Sequence, residues 1–382
     1  MFMNSQEIPS LQKIIKEAEK GISFEHVLVF SPLVSSGEEL DGCVHYYDLN
    51  RVKYGRKEYI QARDEIKELK GTALILSDRG HIYLTNRLLW ECSNVVASIC
   101  IDSEDPYPIE VGVSKVDYMV WDLQTDKAQT DDFAFMSGWC NSYNRKNFLP
   151  EEIKEYVEDA YLKITPYIND QSRLLEVGIG SGLIAFPLIP LCKQYDGCDF
   201  SNQVLAVLQK RIDAAGFNNT KLYKLSADEI DALTDSYNII LMSSVTEYFS
   251  GYNYMREVVK KCIDRIDGEG ELFLLDIFDL DRLQDYKESV AAYAAEHPSD
   301  KYKRDFSHEL YFPRNYWNSL LASLNGIKNI EVTDKIGKID NEINRYRYDV
   351  RIEVDKSYKI QKDMNYKPQY GMSRTGSAIL DE

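Results

Sequence analysis

Apolar and polar positions alternate in blocks along the second half of the chain, and the blocks predict strands and helices in turn. The predicted strands are Arg173–Val177, Gln194–Asp199, Lys221–Lys224, Ile239–Ser243 and Glu271–Ile277. The predicted helices are Ser181–Cys192, Asn202–Ala215, Tyr254–Arg265 and Leu280–Ala295. This alternation predicts an α/β fold with a doubly wound, mostly parallel sheet.

Two further strand-like blocks, Ile327–Lys335 and Arg345–Val354, close the periodic part of the chain. No helix is predicted between them, so we expect a terminal antiparallel hairpin. The sheet domain therefore spans residues 171–355. Residues 356–382 are polar and aperiodic, which predicts a flexible or loosely docked tail.

Residues 1–120 predict a small mixed α/β domain whose role the sequence does not reveal. The predicted elements are a helix at Ser10–Lys20, a charged helix at residues 57–70, and strands at Val27–Val34, Val44–Leu49, Ala73–Leu76 and Ile82–Leu84. Residues 121–170 join the two domains. They contain a polar linker at Asp122–Asp132 and a helix at Pro150–Thr165, with proline at its start, where proline is tolerated.

The apolar stretch from Leu174 to Ser201 is broken by charges, glycines and prolines. A membrane-spanning helix needs roughly 20 apolar residues, and Pro187 inside one would cost roughly 3 kcal/mol. The stretch instead predicts a buried strand, a glycine turn and a helix. Its pattern is Glu-x-Gly-x-Gly-x-Gly, formed by Glu176, Gly178, Gly180 and Gly182.

A glycine turn between a strand and a helix lets a ligand approach the backbone at the helix N-terminus. We therefore predict a nucleotide-type cofactor site, with space for the ligand at Gly178 and Gly180; packing alone is the alternative. Asp199, followed by Phe200, ends the next strand, where a carboxylate can bind ribose hydroxyls. Asp199 could instead cap the following helix, although Ser201 can do so itself.

The next two strand ends carry further candidate residues. Ala227 and Asp228 follow the third strand, where an adenine pocket could lie, although Asp228 could also be a turn residue. Ser243 and Ser244 follow the fourth strand, where backbone carbonyls and small side chains can line the reacting centre.

Composition narrows the class of protein. The chain has 382 residues, 44% of them hydrophobic, and a net charge of −17, which argues against a nucleic-acid partner. Its seven cysteines include no CxxC pair, and the N-terminus lacks a signal-peptide pattern, so we expect a cytoplasmic protein with reduced thiols and no membrane partner. The five dispersed histidines predict no metal site. The oligomeric state stays open.

Five segments carry a resemblance to a known family. They are GWCNSYNRKNFLPEEIKEYV (138–157), GLIAFPLIPLCKQYDGCDFS (182–201), SSVTEYFSGYNYM (243–255), HELYFPRNYW (308–317) and KIDNEINRYRYDVRIEV (338–354). Together they resemble the S-adenosylmethionine (SAM)-dependent methyltransferase domains embedded in nonribosomal peptide synthetases and related thiotemplate assembly lines. The resemblance covers roughly residues 131 to 355.

This resemblance implies a class I, Rossmann-like fold, SAM as the cofactor and natural-product biosynthesis as the setting. It implies methylation of a nitrogen on an amino-acid-derived small molecule, free or held on a carrier protein. Two alternatives stay open: O- or C-methylation of a free small molecule, and a catalytically silent partner subunit of a synthetase. Ser243 and Glu247 replace the family's Asn and Gln, and Asn141 replaces a Ser, whereas Ser142 is retained.

The acceptor side offers weaker candidates for catalysis. Glu247 is the first, as a carboxylate that could accept the amine proton, or else a helix-start acid. Asn341 and Glu342 open the predicted hairpin and come next. Tyr143 and Tyr248 could wall the pocket, since aromatic faces suit a sulfonium or ammonium group. His308, on a predicted exposed helix start, is not expected to be a base.

Overall fold

The computed structural model describes residues 11–18, 23–33, 44–47, 57–78, 81–92, 94–101, 109–111, 139–249, 251–304, 306 and 309–360. These residues form two compact units. The first contains the described residues of 1–115 and 249–256, and the second contains those of 116–248 and 257–362. The predicted linker at Asp122–Asp132, His308 and most of the predicted tail lie outside the described residues.

The first unit is built on a sheet with strand order β2-β1-β3-β4-β5. Its strands are β1 (His26–Phe30), β2 (Val44–Tyr46), β3 (Ala73–Ser77), β4 (Val95–Cys100) and β5 (Ile109–Val111). β1 to β4 run parallel, and β5 is antiparallel to β4. Alternate residues of the central strands enter separate apolar clusters, so both faces of this sheet are covered.

The helices of the first unit are α1 (Leu11–Ala18), α2 (Lys57–Glu68) and α3 (Ile82–Glu91). The strand predicted at Ile82–Leu84 is wrong, because these residues begin α3. Leu84 and Leu88 lie one helical turn apart, and both are buried. A three-residue apolar run cannot separate this helical period from a strand. β4 and β5 were not predicted.

The second unit contains a sheet with order β11-β12-β10-β9-β6-β7-β8. Its strands are β6 (Arg173–Val177), β7 (Gln194–Asp199), β8 (Thr220–Lys224), β9 (Tyr237–Ser243), β10 (Ile266–Phe278), β11 (Ile327–Asp334) and β12 (Arg347–Asp355). Only β12 pairs antiparallel, with β10 on one side and β11 on the other. The predicted parallel sheet with a terminal antiparallel pair is confirmed.

The helices of the second unit are α4 (Pro150–Ile164), α5 (Ala185–Leu188), α6 (Asn202–Ala215), α7 (Tyr252–Arg265), α8 (Leu283–Glu296), α9 (Tyr316–Ser323) and α10 (Glu342–Tyr346). The first residues of α7 are grouped with the first unit. No described helix is long and apolar enough to cross a membrane.

Three helix predictions need correction. The predicted helix Ser181–Cys192 is only one α-helical turn, α5, followed by a 3-10 turn at Ile189–Leu191. Pro187 and Pro190 explain this, because proline supplies no backbone N–H for a continuous helix. α10 lies between the terminal strands, where no helix was expected, and α9 was not predicted.

The strand order sets the position of a ligand site. β6 lies between β7 and β9, so the chain leaves β6 first toward one edge of the sheet and later returns to its other side. In open α/β sheets, ligands bind at the carboxyl ends of the strands beside such a switch point. Val177, Asp199, Lys224 and Ser243 end four adjacent parallel strands at this edge.

Candidate active site

The three glycines after β6 have left-handed backbones but meet different surroundings. Their φ angles are +74° at Gly178, +52° at Gly180 and +83° at Gly182. A Cβ on Gly178 would lie 2.5 Å from Val245 Cγ2, and one on Gly182 would lie 2.6 Å from Leu208 Cδ1. At Gly180 the nearest atom is the Gly178 carbonyl oxygen, at 3.9 Å. Space therefore lies beside Gly180, and the space expected at Gly178 is taken by Val245.

Asp199 connects the end of β7 to this glycine turn. The backbone N–H of Gly180 donates to Asp199 Oδ2 at 3.1 Å, and that of Ser201 donates to Oδ1 at 2.9 Å. Ser201 is itself the N-cap of α6, because its hydroxyl accepts the N–H of Val204. Asp199 is thus buried beside the open space at Gly180 and does not cap the helix. Phe200 follows it and is half-buried.

Glu176 lies within the sheet, directly before the turn. It is buried, and the Tyr195 hydroxyl of β7 donates to its Oε2 at 2.6 Å. Burial raises the pKa of Glu176 to about 8, the hydrogen bond from Tyr195 lowers it, and the charge of Asp199 raises it further. At neutral pH this carboxyl group is therefore mostly protonated.

Ala227 and Asp228 open a 3-10 helix, Ala227–Ala232, just beyond β8. Both residues are buried. Ser226 caps this helix together with Glu229, and the Ser226 hydroxyl also lies 2.6 Å from Asp228 Oδ1. The carboxylate of Asp228 thus accepts a hydrogen bond from the residue that caps this helix.

Ser243 and Ser244, at the end of β9, are linked to α4 and β10. The hydroxyl of Tyr156 on α4 lies 2.6 Å from Ser243 Oγ and 2.9 Å from Ser244 Oγ. Ser244 has a φ of +54°, and its hydroxyl donates to Asp276 Oδ2 at 2.5 Å. The end of β9 is thus held from both sides by buried polar groups.

Glu247 and Tyr248 lie in a 3-10 turn, Thr246–Tyr248, that follows β9. Glu247 is only 3% exposed, whereas Tyr248 is 37% exposed. Burial raises the pKa of Glu247 to about 8; the charge of Asp276 raises it further, and that of Arg347 lowers it. A carboxyl group with such a pKa exchanges its proton near neutral pH.

Asn341 and Glu342 have structural partners. Asn341 is the N-cap of α10, because its side chain accepts the N–H of Asn344 at 3.0 Å. Glu342 is buried and accepts hydrogen bonds from the Ser142 backbone at 2.7 Å, the Ser142 hydroxyl at 3.2 Å and the Tyr286 hydroxyl at 3.0 Å. Through these hydrogen bonds Glu342 connects distant segments of the chain. The sequence had suggested it as a second candidate for catalysis, after Glu247.

Tyr143 packs against α8. Its hydroxyl lies 2.9 Å from Ser289 Oγ, and its ring meets the ring of Tyr293 edge-on, with centroids 5.6 Å apart. Burial raises the pKa of Tyr143 to about 12, so its hydroxyl stays neutral.

Arg347, the first residue of β12, supplies a buried cation to this region. Its Nη1 donates to Asp276 Oδ2 at 2.5 Å, and its Nη2 lies 3.6 Å from Glu342 Oε1. The guanidinium also lies 4.3 Å from the centroid of the Phe278 ring. Arg347 thus links two carboxylates that are far apart in sequence.

Tyr156, Asp276 and Arg347 were not identified as site residues from the sequence. Arg347 lies inside the segment 338–354 that carries the family resemblance, and Tyr156 lies inside 138–157. Those segments were the available signal. Asp276 lies near the end of β10 within an apolar run, and a charged residue in that position was its signal in the sequence.

A family model for a methyltransferase domain matches residues 175–272. This segment runs from the strand before the glycine turn into β10. The chain carries a SAM-dependent methyltransferase domain.

Curated relatives of this methyltransferase include a chondramide synthase and nonribosomal peptide synthetases. Chondramide synthase cmdD of Chondromyces crocatus is 26% identical over 241 residues, which cover 60% of this chain and 6% of that protein. The probable non-canonical nonribosomal peptide synthetase CymA of Salinispora arenicola is 27% identical over 222 residues, covering 56% of this chain and 3% of that protein. The chain thus spans less than a tenth of the length of these relatives.

Among solved structures, the methyltransferase is similar to the N-methyltransferase NodS of Bradyrhizobium japonicum in complex with S-adenosylhomocysteine. The TM-score is 0.42 at 12% identity, and the match covers 62% of this chain and 97% of NodS. A SAM-dependent methyltransferase of Clostridium acetobutylicum matches with a TM-score of 0.40 at 12% identity, over 63% of this chain and 98% of that one.

The residues at the sheet edge fit SAM as the cofactor. Gly180 leaves an opening that a Cβ would occupy, and the backbone there is held by Asp199. A carboxylate offers lone pairs for about four hydrogen bonds, so Asp199 can hold backbone N–H groups and still receive ribose hydroxyls. The expected class I arrangement is present, since β12 is the one reversed strand beside β10.

Proposed function

We propose that this methyltransferase methylates the nitrogen of an amino-acid-derived acceptor, presented on a carrier protein of a nonribosomal peptide-type assembly line. The observation that carries the proposal is Glu247, a buried carboxyl group beyond β9 whose pKa is raised to about 8. An acceptor nitrogen that is protonated as an ammonium must lose that proton before it can act as a nucleophile. A carboxylate that accepts protons near neutral pH suits that step.

The cofactor side rests on the ends of β6 to β9. Gly180 would admit SAM to the turn, and Asp199 would accept its ribose hydroxyls. Glu176, Phe200, Ala227 and Asp228 would support this side from the same edge. When bound, SAM supplies an electrophilic methyl group on a sulfonium. We propose residues 171–355 as the domain that carries the site.

The acceptor side does its work by orientation and proton transfer. Glu247 would take the proton that an ammonium acceptor must release, and the neutral nitrogen could then act as the nucleophile. The protein's main contribution would be alignment of the nucleophile in a pocket without water, which accounts for much of the gain in such displacements. Tyr248, partly exposed, would face the acceptor.

The carrier-bound acceptor is supported by the identity of the relatives. The two described above are a chondramide synthase and a probable nonribosomal peptide synthetase. The segments at residues 138–157 and 338–354, where this chain resembles the synthetase domains, contribute Tyr156 and Arg347, which interact electrostatically with Glu247.

The experiment incubates the protein with methyl-labelled SAM and matched acceptors: free amino acids, and the same amino acids as thioesters on a carrier protein. Mass spectrometry locates the label. Label on the nitrogen of the carrier-bound amino acid is the expected result. Label on oxygen or carbon of a free acceptor would replace this function with the corresponding O- or C-methylation.

Calorimetry with SAM separates a third outcome. If SAM binds but its methyl group is transferred to none of the tested acceptors, the proposed amino-acid acceptor is wrong and the protein methylates another class of molecule. Absence of binding at millimolar SAM would favour a catalytically silent partner subunit. Gly180→Val is the control, because it should remove transfer at the cofactor side.

A further inference from the structure

The ends of β9 and β10 each carry a residue with a left-handed backbone that is not glycine. The φ angle is +54° at Ser244 and +66° at Asp276. Such conformations cost roughly 1–3 kcal/mol each and cluster at functional sites. Asp276 also lies in an irregularity of the β10–β12 pairing, between Leu274 and Ile277. Bulges of this kind redirect side chains beside active sites.

Ser244 and Asp276 are in direct contact. Ser244 Oγ donates to Asp276 Oδ2 at 2.5 Å, and the Ser244 backbone N–H donates to the Leu275 carbonyl at 3.2 Å. On its other side, the backbone N–H of Asp276 donates to Asp349 Oδ1 at 2.7 Å. Each strained residue therefore holds the other in place.

The two carboxylate oxygens of Asp276 differ in their hydrogen bonds. Its Oδ2 accepts from both Ser244 and Arg347, whereas Oδ1 is buried and receives no hydrogen bond from any described residue. The side chain of Asp276 is fully buried. A buried acceptor without a partner costs about 1–3 kcal/mol. Asp196 Oδ1 shares this lack of a described partner, so the left-handed backbone and the contact with Ser244 are what distinguish Asp276.

Three charged groups of the described residues act most strongly on Glu247, and two of them are carboxylates. Asp276 faces it from β10, Glu309 from the segment before α9, and Arg347 is the cation, from β12. Among the described residues, the hydroxyls of Tyr156, Tyr248 and Tyr311 also interact electrostatically with Glu247. Glu309 is paired with Lys303 at 2.6 Å. Arg347 pairs with Asp276 and lies close to Glu342. These two carboxylates compensate its positive charge, so its attraction to the carboxyl group of Glu247 is weaker.

We propose that Asp276 is a positioning residue for the methyl acceptor: it fixes the turn at Ser244 that leads to Glu247, and its pairing with Arg347 weakens the pull of that cation on the carboxyl group of Glu247. This inference rests on the proposed function of Glu247. The raised pKa of Glu247, caused first by burial and then by the charge of Asp276, agrees with the geometry.

The first test is Asp276→Asn in the full chain, without any acceptor. The side-chain carboxyl of Glu247 is titrated by carbon-13 NMR on glutamate-labelled protein, and its signal is assigned with Glu247→Gln. Removing the charge of Asp276 favours ionised Glu247, so its protonation equilibrium should shift about tenfold, by one pH unit toward lower pH. A shift below about twofold in the folded variant would overturn the proposal.

The matched control is Asp196→Asn. Asp196 is also buried, lies on β7 and accepts from the Tyr237 hydroxyl at 2.9 Å, but it is not among the charged groups that face Glu247. Its replacement should leave the titration of Glu247 unchanged. An equal shift in both variants would mean a general loosening of the fold, and would count against a specific role for Asp276.

If Asp276→Asn does not fold, the variant Ser244→Ala tests whether Asp276 holds the turn. This variant keeps the charge of Asp276 and removes only the hydroxyl tie. Hydrogen exchange of the backbone N–H groups of Ser244 and Tyr248 should accelerate about tenfold or more, while the Glu247 titration moves less than about threefold. Unchanged exchange would overturn the proposed hold on the turn. Neither readout uses an acceptor, so failure of the methylation assay is recognised separately.

Discussion

The backbone N–H of Ser142 donates to Glu342 Oε2 at 2.7 Å, across 200 positions of the chain. Tyr286 of α8 donates to the other oxygen of the same carboxylate. The segment before α4 and the segment before β12 are therefore joined at one buried group. The resemblance to synthetase domains includes both segments, and this contact gives a physical reason for Ser142 and Glu342 to occur together.

Glu342→Ala should destabilise the fold more than it affects cofactor binding. It removes the shared acceptor of Ser142 and Tyr286 and leaves Arg347 with one carboxylate. Loss of a buried ionic partner costs about 3–5 kcal/mol. Urea unfolding measures the loss, and calorimetry should find SAM affinity within about threefold of wild type.

Glu331→Ala, which removes an exposed partner of Arg351, is the control and should cost less than about 1 kcal/mol. A small loss in Glu342→Ala together with lost turnover would restore Glu342 as a catalytic candidate.

Gly180→Val should abolish SAM binding in a protein that still folds. The new side chain would occupy the opening at the turn, so affinity should fall at least about 100-fold, or about 2.7 kcal/mol. Gly216→Val is the matched control, because Gly216 has a φ of +75° at the end of α6 and no neighbour within 4 Å of its Cβ position. It bears the same backbone strain without the ligand. Equal SAM affinity in the folded Gly180 variant would remove the cofactor site from this turn.

Asp199→Ala should weaken SAM binding by roughly 10- to 150-fold, because hydrogen bonds to a charged acceptor contribute about 1.5–3 kcal/mol. It should also lower stability, since the N–H groups of Gly180 and Ser201 lose their acceptor. Calorimetry and thermal unfolding separate the two effects. Asp213→Ala, which removes the partner of Gln209 on α6, serves for comparison. A SAM affinity within about threefold of wild type would restrict Asp199 to its structural contacts.

Glu247 should control the pH dependence of turnover. Because its pKa is about 8 and the ionised form accepts the proton, wild-type kcat should rise between about pH 7 and pH 9. If Glu247 is an essential base, Glu247→Gln should lower kcat by about 100-fold or more, remove this rise and leave SAM affinity near wild type. If Glu247 only orients the acceptor, the Gln variant should stay active and the Ala variant should fail. Full activity in both variants would rule out either role.

Glu176→Gln should stabilise the protein in alkaline solution. The pKa of Glu176 is about 8 in the fold and about 4.5 in its ordinary state, so the folded protein binds more protons between these values. Wild-type stability therefore falls relative to the Gln variant as pH rises from about 4.5 to about 8. Urea unfolding at pH 6 and pH 9 should reveal a difference on the order of 2–4 kcal/mol. Glu331→Gln, at an exposed position, should show no such trend; a flat difference for Glu176→Gln would mean that its carboxyl is solvated.

The sheet of the second unit was predictable because its strands are apolar and its helices have clear ends. Asp199 and Ser201 marked the end of β7 and the start of α6 by residue type alone. The helices near Pro187 and Glu342 were not predictable, since each is about one turn long and too short for a hydrophobic period. Ile82–Leu84 was mistaken for a strand for the same reason.

The contact between the glycine turn and Asp199 could be predicted from the sequence, whereas the surroundings of Glu247 could not. The glycine turn and Asp199 are neighbours through adjacent strand ends, which periodicity locates. The environment of Glu247 depends on Tyr156, Asp276 and Arg347, which come from α4, β10 and β12. Long-range contacts of this kind leave no spacing in the sequence. The space at Gly178 was also misassigned, because only three-dimensional packing places Val245 there.

The position of β12 has a consequence for the order in which the site is assembled. β12 is the last strand of the sheet in sequence, yet it is inserted between β10 and β11. A nascent chain that has emerged only as far as Asp334 already contains β6, β7 and the glycine turn, but it lacks Arg347. Until β12 emerges, Asp276 has no guanidinium partner and β10 offers an unpaired edge, a form prone to wrong pairing. Synthesis on the ribosome thus delivers the cofactor turn first and the ionic support of the acceptor side last.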